Sequence, residues 1–235
     1  MERILIKPIV LLADSHWLYT PYNGEFLLKK LLNNPSSDSL RAAYIGASNE
    51  DNPSYYDIFV YAMELNGIKN CSQISSAFEP IDKENLMDAN LILLAGGDIK
   101  KGWDIISGQE MYAIIKQKYY QGTLIIGVSA GAIQLGLYGW DLTEQGNLNV
   151  FETMKLIPMV IHAHNEAENW TILKQVLKKI DHWTVGLGMP IRSGLLCHND
   201  HTIEVVNQPV YEFTRQEDTI LENLILPSQS VLREV

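Results

Sequence analysis

Short, uninterrupted apolar runs recur along the chain, at Ile9 to Ala13, Ala42 to Ile45, Leu91 to Ala95 and Leu124 to Val128, each stopping at small or turn-forming residues. None alternates with polar positions, so each predicts a strand covered on both faces. Between them, Glu25 to Leu32 and Tyr55 to Leu65 carry apolar residues at helical spacing, the second closed by Asn66-Gly67. A helical stretch interrupted near Ser107-Gly108 runs on to Gly122, where the next strand begins. Buried strands separated by helices predict an α/β fold of three layers, a mostly parallel sheet with helices on both faces. Ligands bind outside the carboxyl ends of such strands, which places Gly46, Gly96-Gly97 and Ser129 along one rim. Past Leu156 the pattern changes to a strand reaching Ile161, a helix from Glu166 to Ile180, and short strands parted by Asn199-Asp200 and Asn207-Gln208-Pro209. These predict an antiparallel extension of the same sheet. No repeat, low-complexity tract or linker divides the chain, and residues 1–235 read as a single domain.

Charge narrows the partners. Eighteen Lys and Arg against 28 Asp and Glu leave a formal net charge of −10, with no local basic run to grip phosphates. Nucleic acid and anionic membranes are therefore not expected partners. The start, Met1-Glu2-Arg3-Ile4-Leu5-Ile6, lacks the apolar core of a secretory signal, and no apolar run approaches the ~20 residues of a membrane span. Cys71 and Cys197 lie far apart without metal-like spacing, implying neither a zinc site nor a disulfide framework. The expectation is an acidic cytoplasmic enzyme.

The candidate chemistry lies in Gly127-Val128-Ser129-Ala130-Gly131. Gly-x-Ser-x-Gly arises by chance roughly one time in ten in a chain this long, so its context decides. Here the motif terminates a buried strand, the setting of a nucleophile elbow in which a sharp strand-to-helix turn presents the serine. A serine nucleophile needs a base within hydrogen-bond reach and donors for an oxyanion. His162 and His164 sit at the end of Leu156-Ile157-Pro158-Met159-Val160-Ile161, where residues of equal parity point to one side, and one of them is the natural base.

Taken together, Ala95-Gly96-Gly97-Asp98, Gly127 to Ala132, and Pro158-Met159-Val160-Ile161-His162-Ala163-His164 resemble, in order and spacing, three signature segments of the peptidase E and cyanophycinase family of serine peptidases. The resemblance runs from the first strand to about Leu196. It implies a fold related to class I glutamine amidotransferases, with serine in place of their cysteine, and no metal or organic cofactor. It implies Ser129 as nucleophile, His164 as general base with His162 as its neighbour, and the amides of Gly97 and Ala130 as the oxyanion hole. For the third member it points to Glu144, in the loop after the nucleophile helix, with Asp141 close by.

Two departures from the family pattern stand out. Relatives carry a glutamate in a late Gly-Leu-Pro-Glu-Gly or Gly-Ile-Asp-Glu segment, which here reads Gly186-Leu187-Gly188-Met189-Pro190-Ile191-Arg192, with Ile191 at the glutamate position. After the histidine, relatives bear arginines suited to acidic substrates, whereas this chain has Asn165-Glu166-Ala167-Glu168-Asn169-Trp170. If Glu166, Glu168 and Arg192 line the pocket, its polarity is partly inverted and an N-terminal Asp is disfavoured. The alternative is that both glutamates serve the N-terminus of the following helix. Asp98 reads as a helix N-cap pointing away from the nucleophile, and Trp103, Trp140 and Trp170 as either cleft walls or core. The resulting expectation is a serine hydrolase cleaving an amide in a small peptide, with a homodimer left open. The competing one is a non-catalytic or diverged amidotransferase-like binding protein that keeps the elbow.

Overall fold

The computed structural model describes residues 5–21, 24–32, 39–180 and 182–227. Met1 to Ile4 of the opening segment, and the two ends of the single domain expected over 1–235, lie outside the described residues. In chain order the strands are β1 (Ile9–Leu12), β2 (Arg41–Ile45), β3 (Asn70–Ile74), β4 (Leu91–Leu94), β5 (Leu124–Val128), β6 (Tyr138–Leu142), β7 (Leu148–Glu152), β8 (Val160–Ala163), β9 (Val185–Met189), β10 (Gly194–Cys197), β11 (Ile203–Val206), β12 (Val210–Gln216) and β13 (Thr219–Ile225). The helices are α1 (His16–Tyr19), α2 (Leu27–Leu31), α3 (Pro53–Leu65), α4 (Pro80–Asp88), α5 (Ile99–Gly108), α6 (Met111–Tyr120), α7 (Ala130–Leu135) and α8 (Thr171–Lys179).

The fold is a mixed α/β structure around a seven-stranded sheet ordered β11-β10-β1-β5-β4-β2-β3. Its middle is parallel, and its apolar runs are explained by burial on two sides. Ile9, Leu11, Ala43, Ile45, Ile92, Leu94 and Ile125 pack with side chains of α4 to α7. Their alternates Val10, Leu12, Ala42, Tyr44, Leu91, Leu93, Leu124 and Ile126 pack with α1, α2 and α3. The register aligns the carboxyl ends: Ile45 is level with Leu94, Leu94 with Gly127, and Leu12 with Val128. The segments after β1, β4 and β5 therefore emerge side by side.

The second half of the chain differs from the expected simple extension. Strands β10 and β11 do extend the central sheet antiparallel beyond β1. Strands β8, β9, β12 and β13 instead form a separate four-stranded sheet, and β6 and β7 a two-stranded hairpin. The separate sheet has two covered faces of its own, Ile161, Leu187 and Val210 joining the core that contains α6 and α7, and Val160 and Phe213 packing with α8. The strand expected up to Ile161 is shortened at its start, because the amides of Leu156 and Ile157 bond to Leu135 O at the end of α7. The helix expected from Glu166 is broken: a 3₁₀ turn covers Glu166–Glu168, and Asn169 and Trp170 take left-handed φ of 51° and 56° before α8. Strand β3 is polar and pairs only with β2 at the sheet edge, so no apolar run announces it.

All six residues of α7 are buried, and the helix lies so close to β4 that a Cβ on Gly131 would stand 2.1 Å from Leu94 O. Gly131→Ala is accordingly expected to lower stability by at least about 1–3 kcal/mol. Ser129→Ala, which adds nothing to this contact, is expected to leave it nearly unchanged. Denaturant unfolding midpoints of the two variants check the pair.

Candidate active site

Strand β5 turns into α7 through a single residue. Ser129 has φ 50° and ψ −111°, a conformation that costs about 1–3 kcal/mol for a residue with a side chain. It is held there from both sides, its amide donating to Leu12 O at 2.9 Å and its carbonyl accepting from Ile133 N at 3.1 Å. Gly127 permits the fold-back, since a Cβ there would lie 2.7 Å from Ala132 N. The hydroxyl is half-buried, and Ser129 Oγ lies 2.7 Å from His164 Nε2.

His162 and His164 do not share a side, although their parity predicted it. Strand β8 ends at Ala163, and His164 takes φ 42° while its amide donates to Met189 O at 2.8 Å. That turn breaks the alternation and brings the imidazole to Ser129. His162 remains in the strand, packed edge-on between the rings of Trp140 and Trp170 at 4.6 and 5.8 Å. Its Nδ1 is buried with no hydrogen-bond partner among the described residues. Burial, and next the charge of His164, push the His162 imidazole down to about 3, so it stays neutral and is a poor base near pH 7.

The loop after β4 crosses beside the serine, a Cβ on Gly96 standing 3.2 Å from Ser129 Cβ. Gly97 has φ 140°, and a side chain there would run into Ser48 O at 2.0 Å. The loop is pinned by Asp98 N donating to Ser48 O at 2.7 Å and by Asn49 Nδ2 donating to Gly96 O at 3.1 Å. From beneath, buried Gln134 of α7 donates through Nε2 to Ser48 Oγ and Ile99 O. The amides of Gly97 and Ala130 find no acceptor among the described residues. Asp98 caps α5 by accepting from Lys101 N at 2.8 Å.

The expected third member is not brought to the histidine. Glu144 is exposed in the turn closing the β6–β7 hairpin, and Asp141 accepts from Asn149 Nδ2 across that hairpin. The segment expected as a loop is instead a strand pair whose turn at Thr143 to Gly146 carries Glu144 to the hairpin tip. Among the described residues no carboxylate bonds or ion-pairs with His164.

A cavity of about 420 Å³ opens beside Ser129 and His164. Glu166, Glu168 and Arg192 do not border it. Glu166 accepts from Ile191 N at 3.1 Å, and Glu168 accepts from Asn165 Nδ2 at 2.9 Å. The amide of Arg192 donates to Asp14 at 2.7 Å, and its carbonyl accepts from Trp17 Nε1. Glu166 thus organises loop backbone and Glu168 a neighbouring side-chain amide, and the segment from Gly186 to Arg192 supports His164 through Met189 O. Trp103, Trp140 and Trp170 pack within the hydrophobic clusters rather than on the cavity wall. Missing from the sequence reading are the cavity residues Asp14, Tyr44, Asn49 and Tyr55, which belong to no motif and meet only through the fold. No cluster of His, Cys, Asp and Glu suited to a metal occurs among the described residues, and no described helix is long and apolar enough to cross a membrane.

An open α/β sheet with a serine and a histidine in contact at its carboxyl rim defines the class of serine hydrolases. Peptidase family S51 matches residues 9–205, and the chain belongs to that family and is a serine-type peptidase. Two solved structures share the fold. A peptidase from an acI-B1 Actinobacterium superposes with a TM-score of 0.70 at 17% identity over 97% of both chains. A putative peptidase E protein from Listeria monocytogenes EGD-e gives 0.55 at 16% identity, covering 94% of this chain and all 100% of its own. No curated protein matches the chain in sequence.

The buried imidazole predicts a pH signature. Between its ordinary 6.5 and about 3, His162 binds a proton in the unfolded chain but not in the folded one, so stability falls as pH drops through that window. His162→Phe is expected to flatten this part of the profile, since carboxylate contributions remain in both proteins. Unfolding free energy measured from pH 7 to 3 in the two proteins checks it.

Proposed function

We propose that the protein cleaves an amide bond in a small peptide through a Ser129–His164 dyad. The carrying observation is the 2.7 Å contact between Ser129 Oγ and His164 Nε2 on the wall of an open cavity. As the hydroxyl attacks the carbonyl carbon, its proton passes to Nε2; the same proton then goes to the leaving amine as the carbon–nitrogen bond breaks. Water, deprotonated by His164, releases the acyl group and restores the serine. The unpaired amides of Gly97 and Ala130 are suited to the oxyanion because rigid backbone donors cost no reorganisation when charge develops. The cavity volume of about 420 Å³ suits one or two residues rather than a long segment, which supports a small peptide as substrate.

Ser129→Ala is expected to abolish turnover and labelling by a fluorophosphonate, and His164→Ala to cost at least about 10³-fold in kcat. Glu144→Gln, at the exposed hairpin tip, is expected to cost less than about ten-fold, since it holds no imidazole in place. Peptide hydrolysis by the three variants, alongside mass spectrometry of the labelled serine, tests the reading. Full turnover in Ser129→Ala would end it, and a loss in Glu144→Gln equal to that in His164→Ala would restore a triad.

A further inference from the structure

The cavity beside Ser129 carries a charge that bond cleavage does not use. Among the described residues around it, Asp14 is the one carboxylate, and no lysine or arginine contributes to its wall. Asp14 follows β1 directly, where Leu12 is level with Val128, so it emerges next to the turn at Ser129. Its half-buried carboxylate is fixed by two backbone donors, His16 N to Oδ1 at 2.8 Å and Arg192 N to Oδ2 at 2.7 Å. Among the described residues no cationic side chain pairs with it, and each oxygen keeps acceptor capacity. The same cavity is lined by Leu18, Tyr44, Tyr55, Ile58 and Phe59, which give it apolar and aromatic surface. Aromatic faces and an oriented carboxylate in a partly desolvated pocket attract cations and repel anions.

We infer that Asp14 makes this cavity the receptor for a positively charged nitrogen of the acyl-side residue, whose carbon chain lies along the aromatic wall. The inference rests on Ser129 being the nucleophile and names the substrate class that nucleophile meets. The cation has two sources, the free α-ammonium of an N-terminal residue or the end of a lysine or arginine side chain. The two differ in reach, the α-ammonium being one carbon from the scissile carbonyl and the side-chain end several, so the substrate series decides between them; an acidic side chain is disfavoured by like charge.

The test compares aminoacyl coumarylamides of lysine, Nα-acetyl-lysine, Nε-acetyl-lysine and aspartate on the wild-type enzyme and on Asp14→Asn. Wild type is expected to lose at least ten-fold in kcat/KM when the recognised nitrogen is acetylated, loss with the Nα derivative identifying the α-ammonium and loss with the Nε derivative the side chain. The aspartyl coumarylamide is expected to be the poorest of the substrates with a free α-amino group, and in Asp14→Asn the ratio of charged to acetylated substrate falls to within about three-fold. The wild-type series stands by itself should Asp14→Asn fold poorly. Equal rates with and without acetylation, or faster cleavage after aspartate, overturn the inference while fluorophosphonate labelling of Ser129 leaves the peptidase reading intact. Absence of both labelling and hydrolysis overturns the two together.

Discussion

The tight seat of α7 against β4 and β5 is the constraint on which the site depends. Gly127 and Gly131 remove the side chains that would hold the helix off the sheet, and the approach forces the connecting residue, Ser129, to a positive φ. The same helix reaches in three directions. Its first amide is left open beside the serine, Gln134 fastens Ser48 beneath the Gly97 loop, and Leu135 O takes the amides of Leu156 and Ile157 that lead into β8. Ser129, the Gly97 loop and the strand leading to His164 are thus indexed to one rigid element, which is how a geometry good to fractions of an ångström is kept.

The histidine is positioned by a different device. Strand β8 could carry its last side chains only in alternation, so the imidazole that meets Ser129 comes from the residue just past the strand, turned by a positive φ and tied by its amide to Met189 O. His162 fills the aromatic layer behind it, buried and neutral, and its proton deficit links the integrity of that layer to pH. Glu166 and Asp14 meanwhile hold the successive amides of Ile191 and Arg192. Asp14 also lines the cavity, so a loop brace and a cavity carboxylate are combined in one residue.

Much of the fold was legible because burial on two faces leaves a mark in sequence. β1, β2, β4 and β5 are apolar at every parity, and their ends at small residues set the rim on which Gly96-Gly97 and Ser129 meet. The Ser129 turn was legible for the same reason, since only glycines at Gly127 and Gly131 fit the sterics. Edge strand β3 is polar and the β6–β7 hairpin mixes apolar and polar positions with half its residues solvated, so neither left such a mark. Strands β8, β9, β12 and β13 were readable as strands but not as a separate sheet, because an apolar face does not state which layer will cover it.

What the sequence by itself determined is therefore local and steric: which segments are buried strands, where they stop, and where a serine is forced onto a strained turn. Tertiary structure decided everything that depends on which residues meet across the chain. It brought His164 rather than His162 against Ser129, because one left-handed residue at a strand end overrides parity. It kept Glu144 at a hairpin tip, turned Glu166 to an amide of the Ile191 loop, and brought Asp14 to the cavity from the far end of the chain. Such contacts join residues distant in sequence, and their energies arise only when the backbone closes, so no local pattern encodes them.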